Sequence, residues 1–129
     1  MVNYQQPYCS SLVWQKADKF LLEVYQLTAS FPKEELYGVT SQFRRAALSV
    51  VLNVVEGKAR GSQKEFLRFL FIARASLSEC AYLLEFSFKV GYINQEAYNK
   101  LEFSRRNTSY FLQQAINGIT NPKELPNKL

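Results

Sequence analysis

Apolar residues recur at helical spacing in four stretches of this chain, and the breaks between them carry residues that stop helices. The first stretch sets Trp14, Ala17, Leu21, Val24, Tyr25 and Thr28 on one side and ends before Pro32. Proline has no amide to donate and pushes Phe31 out of helical geometry. A short turn over 33–36 leads to Gly38. The second stretch aligns Phe43, Ala46, Ala47, Val50 and Val54, while Leu48, Val51, Leu52 and Val55 form a second apolar side. The third opens with Ser62 and Glu65, a capping-box pair whose side chains serve each other's amides. Phe66, Phe69, Leu70, Ala73, Leu77, Cys80, Leu84 and Ser87 then run in line to Gly91, a residue suited to a positive φ. The fourth is capped by Asn94, with Ile93 and Tyr98 spaced as a hydrophobic staple. Its stripe is Tyr98, Leu101, Thr108, Leu112, Ala115 and Ile119.

The spacing predicts helices over roughly 12–30, 39–59, 63–90 and 95–118, in one domain covering 1–120. Residues 121–129, with Pro122 and Pro126, are expected to be a flexible tail. Long helices joined by short connections pack against their sequence neighbours, so the expected fold is all-α, an antiparallel up-down-up-down four-helix bundle.

One bundle does not need this much apolar surface. A bundle helix buries a stripe about 100° wide, yet eight of the ten residues from Ala46 to Val55 are apolar, and they surround the helix. Phe66, Leu67 and the run from Phe69 to Ala73 repeat the excess. A homo-oligomer interface on the second and third helices is the expected use, with Leu48, Val51, Leu67 and Phe71 as candidates. The competing reading is that longer side chains and the N-terminal arm cover them.

Charge is concentrated beside that surface. Between Arg44 and Arg74 lie seven cations and two acids, a balance of +5 that equals the net charge of the 129-residue chain. Arg44, Lys58, Arg60, Lys64 and Arg68 are the candidate contacts to nucleic-acid phosphates, with the amides of the third helix start adding to the field. For each of them the plainer reading is a solvated surface charge. Tyr8, Tyr37 and Tyr110 offer rings for stacking but are not interleaved with the cations. Arg45, within an apolar helix, is expected to pair with Glu79 or Glu56 across the bundle; Asn53 and Glu56 are candidates for a structural polar contact between helices.

The chain has no histidine, which removes Ser–His and Cys–His nucleophile pairs and the Glu-x-x-His pattern of di-iron bundles. No Gly-rich phosphate loop or ordered carboxylate set stands in their place, so neither enzyme chemistry nor a metal or cofactor is expected. Apolar residues make up 47% and charged residues 21%, the balance of an ordinary globular protein rather than a disordered one. The longest apolar run is too short to span a membrane, and the N-terminus lacks a signal pattern. Cys9 and Cys80 are too few for a disulfide framework; a free thiol in a reducing cytoplasm is expected.

The segments 37–47 (Tyr-Gly-Val-Thr-Ser-Gln-Phe-Arg-Arg-Ala-Ala), 53–57 (Asn-Val-Val-Glu-Gly), 62–70 (Ser-Gln-Lys-Glu-Phe-Leu-Arg-Phe-Leu) and 76–79 (Ser-Leu-Ser-Glu) resemble a bacterial family of four-helix-bundle proteins typified by the 23S ribosomal RNA intervening-sequence protein. Trp14 to Ala17 and Val24 to Thr28 fit the same pattern, so the resemblance covers roughly Trp14 to Tyr92. It implies a ring-like homopentamer with a positively charged surface and RNA or DNA as the supposed partner. A distant branch, the accessory variability proteins of diversity-generating retroelements, works beside a reverse transcriptase. The chain departs from the family where Val51 replaces a common proline and Ala75 a common glycine, both changes favouring a straighter helix.

Overall fold

A computed structural model describes Tyr8 and residues 11–121. Among them are four long helices and no strand: α1 (Leu12–Thr28), α2 (Val39–Ala59), α3 (Gln63–Lys89) and α4 (Gln95–Thr120), with one 3-10 turn at Lys33–Glu35. Three of the helices start on a side-chain cap. Ser11 Oγ accepts from the Trp14 amide, Ser62 Oγ from the Glu65 amide and Asn94 Oδ1 from the Ala97 amide. Gly38 gives α2 no such cap, and the preceding turn supplies one instead: Glu35 Oε1 accepts from the Val39 amide at 3.2 Å.

The ends follow from local chemistry. Past Thr28 the chain tightens, the Ser30 and Phe31 amides bonding three residues back to Leu27 and Thr28, so α1 stops two residues short of 30. Gly91, at φ +85°, ends α3 with the Tyr92 amide on the Ser87 carbonyl and its own amide on Phe88. α4 continues through Gly118 to Thr120, whose hydroxyl donates to the Ile116 carbonyl.

α2 packs on α1 and α3, and α4 packs on the same two, while the backbones of the diagonal pairs stay apart. All four helices therefore face one core, with Phe20, Phe43, Leu70, Leu77, Leu84 and Leu112 fully buried at its centre. Thr108, also fully buried, joins α4 to α1 by donating to the Lys16 carbonyl, and Ser104 Oγ donates to Glu23 Oε1 beside it. Cys80 is wholly buried; burial first, then the Glu79 charge, pushes its thiol up to about 12, which leaves no reactive thiolate near neutral pH. Cys9 lies outside the described residues. No helix among the described residues is long and apolar enough to cross a membrane.

The α2–α3 seam is partly polar. Gln42 Nε2 donates to Glu79 Oε2, and Ser49 and Ser76 share a hydroxyl–hydroxyl bond of 2.8 Å. Asn53 Nδ2 donates to the Ser49 carbonyl at 2.7 Å and to its hydroxyl, so Asn53 reaches α3 through Ser49 rather than through Glu56. The expected Arg45 pair is corrected. Arg45 is exposed and has no partner among the described residues, Glu79 is occupied by Gln42, and Glu56 bonds Arg60 one turn along its own helix. Five residues, about 1.4 turns, separate Arg45 from the fully buried Val50, which puts it on the outer side.

Two contacts fix the ends of this arrangement. At Gly57 a Cβ would stand 2.8 Å from Phe69 Cβ and 2.9 Å from Phe66 Cδ1, so only glycine allows α3 to lie this close to α2. A Gly57→Ala variant regains helix propensity but forces the helices apart. We expect a net loss of about 1–3 kcal/mol in urea unfolding, with the fold retained by circular dichroism.

At the other end of α2, Glu35 Oε2 accepts from the Tyr92 hydroxyl at 2.5 Å, and the Phe31 and Tyr92 rings lie 5.3 Å apart. The α1–α2 and α3–α4 connections are thereby tied. The Tyr92 bond and then the Val39 amide hold Glu35 below its ordinary 4.5, and the Glu35 bond raises Tyr92 above 10.0. A depressed acid stabilises the fold above its unfolded value and loses that as pH falls through the folded one; a raised tyrosine loses its contribution as pH climbs past its unfolded value. The stability difference between the native protein and Tyr92→Phe should therefore be flat between pH 4.5 and 10.0 and shrink on both sides in denaturant titrations. A difference independent of pH would mean the Tyr92 bond to the ionised carboxylate contributes nothing.

Candidate nucleic-acid interface

α2 ends at Ala59 and α3 begins at Gln63, and Gly61 at φ +74° makes the corner between them. Lys58, Arg60, Lys64 and Arg68 all stand on this connection or within two turns of it, and all four are exposed. Two phenylalanines from the start of α3 lie beneath three of the cations. Lys58 Nζ is 5.6 Å from the Phe66 ring centre, while the Arg60 and Arg68 guanidinium carbons are 4.9 and 4.6 Å from Phe69. One nearly buried ring thus holds two guanidinium groups, an arrangement favoured by the negative face of the ring.

Two carboxylates temper the charge. Arg60 Nη2 bonds Glu56 Oε1 at 2.9 Å, and Glu65 lies between Arg60 and Arg68 at 3.9 and 3.4 Å. The capping box is therefore only half closed: Ser62 caps the Glu65 amide, but the Glu65 carboxylate turns to the arginines. These pairs are solvent-exposed and individually weak. Four cations against two acids leave the connection at +2, and Lys64 has no partner among the described residues.

Arg44 does not join this cluster. It sits 14 residues before Lys58, about 21 Å along α2, and its guanidinium is committed to α1. Nε donates to Thr28 Oγ1 at 2.8 Å, Nη2 to the Tyr25 carbonyl at 3.4 Å, and its face lies 4.5 Å from the Tyr25 ring. A cation at those last carbonyls complements the negative end of the helix. Tyr37 is almost fully exposed on the α1–α2 connection, away from the cluster, and Tyr8 packs at a tilt against Trp14, ring centres 5.0 Å apart.

Of the expected interface residues, Leu48 and Phe71 are exposed on the outer sides of α2 and α3, and Leu67 is half-buried against the core. Val51 is corrected: at 7% exposure it belongs to the bundle's own core, and Leu52 beside it is 51% exposed. One residue turns a helix by about 100°, and the two polar residues of this run, Ser49 and Asn53, lie at the α3 seam and so do not mark the outer side. Ile72 and Tyr82 extend the exposed apolar surface on α3, the latter at 61% exposure. Sequence reading overlooked Phe66 and Phe69 as seats for the cations. The available signal was the spacing itself: Phe69 follows Arg60 across a glycine corner and stands directly after Arg68 on α3.

A family model described as 23S rRNA-intervening sequence protein matches residues 10–114. A crystal structure of a protein with unknown function, from the S23 ribosomal protein family of Bacteroides thetaiotaomicron VPI-5482, superposes with a TM-score of 0.72. The two chains are 22% identical, and the match covers 81% of this chain and 98% of that one. At that identity the likeness speaks for the fold alone. No curated protein matches the chain. With the family model covering all but the ends, the chain belongs to the 23S rRNA-intervening sequence protein family.

Proposed function

We propose that this chain is a non-enzymatic nucleic-acid-binding protein, an antiparallel bundle assembled into a ring-like homo-oligomer, most simply a pentamer, that holds structured RNA by its backbone. It works in the cytoplasm without metal or cofactor. The observation that carries the reading is the cluster at the α2–α3 connection, where Lys58, Arg60 and Arg68 rest on Phe66 and Phe69 and Lys64 stands free. Rings beneath the cations limit their motion, so a phosphate meets donors that are already partly ordered. The family's name supports RNA as the partner. Repetition of the cluster around a ring would multiply weak contacts into useful affinity without reading bases.

Neutralising two of these cations reports on the assignment. For Lys64→Gln with Arg68→Gln, we expect weaker binding to a structured RNA at low salt and a salt slope reduced by about one per cation removed. Unchanged affinity and slope in a folded variant would remove the cluster from the interface.

A second reading, a protein-interaction scaffold or accessory subunit of a reverse transcriptase, is favoured by the outer apolar surface of Leu48, Leu52, Phe71, Ile72 and Tyr82. In the leading reading the same surface joins subunits. Leu52→Lys changes an exposed side chain, so the subunit's own stability should move by no more than about 0.5 kcal/mol. Light scattering should then show the native oligomer falling to smaller species; a native protein that is already monomeric overturns the assembly.

A further inference from the structure

At the corner where α1 gives way to α2, a half-open cleft of about 310 Å³ is lined by Thr28, Ala29, Phe31, Pro32, Lys33, Leu36, Thr40 and Arg44. Its walls divide by chemistry: Phe31, Pro32 and Leu36 are apolar, while Lys33, Thr40 and Arg44 bring hydrogen-bond donors. Thr40 is only 4% exposed, and its hydroxyl has no partner among the described residues. Yet no side-chain polar atom among those residues is both fully buried and unpaired. The small exposed part of Thr40 therefore includes its hydroxyl, and the cleft is where that hydroxyl opens.

The two cations add to this. Arg44 is held in place through Nε and Nη2, which leaves Nη1 without an acceptor among the described residues. Lys33 is exposed and likewise unpartnered. The nearby Glu35 carboxylate is engaged by Tyr92 and the Val39 amide and does not line the cleft.

We propose that this cleft binds a small organic monocarboxylate with an apolar body. The carboxylate meets Arg44, Lys33 and the Thr40 hydroxyl, and the hydrocarbon part lies against Phe31, Pro32 and Leu36. A bare phosphate fits poorly, because the apolar wall would strip its water without replacing the hydrogen bonds. The volume is at the small end of ligand pockets and suits a body the size of one amino-acid side chain. The site is independent of the RNA reading: Thr40 and Lys58 are 18 residues apart on α2, about 27 Å of helix.

The test is an amide-shift titration of the full chain with benzoate and with 3-methylbutanoate, against benzyl alcohol and inorganic phosphate as controls. A saturable carboxylate response at Phe31, Lys33, Leu36, Thr40 and Arg44 is expected, with the alcohol and phosphate at least about tenfold weaker. Thr40→Val removes an unpaired hydroxyl, so it should unfold at the native urea concentration or higher while weakening carboxylate binding about tenfold. Lys33→Gln, at an exposed position that leaves the fold untouched, should weaken it about threefold. The proposal is overturned if neither carboxylate saturates, if alcohol or phosphate binds as well, or if both variants bind like the native chain.

Discussion

The distance between α2 and α3 at Gly57 is the constraint on which the candidate interface depends. Phe66 and Phe69 occupy the place where any other residue at position 57 would put its Cβ. A glycine inside a helix costs about 1 kcal/mol relative to alanine. Here that cost is offset by letting two phenylalanines close over the last turn of α2, one of them nearly buried. The same closeness decides the chemistry above them. Only because the rings lie beside the end of α2 can Lys58 and Arg60 reach their faces from one helix while Arg68 reaches Phe69 from the other.

Cations held in this way differ from freely solvated ones. A guanidinium over a ring has lost part of its rotamer freedom before any ligand arrives, and its apolar stem already covers surface. On the proposed reading Arg60 and Arg68 need less ordering to meet a phosphate, but each must loosen an exposed contact to Glu56 or Glu65. Lys64 has the opposite profile, with no carboxylate to leave and a full side chain to order. Arg44 is held more firmly: two donors and one face are used up by α1. Only Nη1 is left over, and Arg44 lines the cleft at the α1–α2 corner rather than the cation cluster.

The sequence made the four helices and their caps legible because those features are local. Ser62 and Asn94 each satisfy an amide three residues on, and Gly91 takes the positive φ its position requires. What it could not phase was α2. Between Ala46 and Val55 every side of the helix is apolar, so hydrophobicity alone cannot tell Val51 from Leu52, and the same ambiguity hid the outward direction of Arg45. The candidate site was legible as a composition and not as a geometry. A count of cations finds Lys58 to Arg68, but the half-closed capping box and the rings beneath the arginines arise from tertiary contact. Arg44 was grouped with them by type, although its partners come from α1, 16 and 19 residues earlier in the chain.

Helical spacing also places Lys64, Arg68, Phe71, Ala75 and Tyr82 along one side of α3, with steps of three, four or seven residues. The cations and the exposed apolar residues are thus successive parts of one stripe. On the proposed reading, an assembly that covers Phe71 and Tyr82 brings the Lys64 and Arg68 of neighbouring subunits toward one another. Their repulsion opposes assembly and is relieved when a polyanion lies across them. Subunit association and RNA binding then share a free energy, each strengthening the other by the same factor. Such coupling would appear as an oligomer that tolerates dilution better with RNA than without it. It also means that removing positive charge at Lys64 and Arg68 weakens the hold on RNA while easing the contact between subunits, so the two effects have opposite signs on one helix.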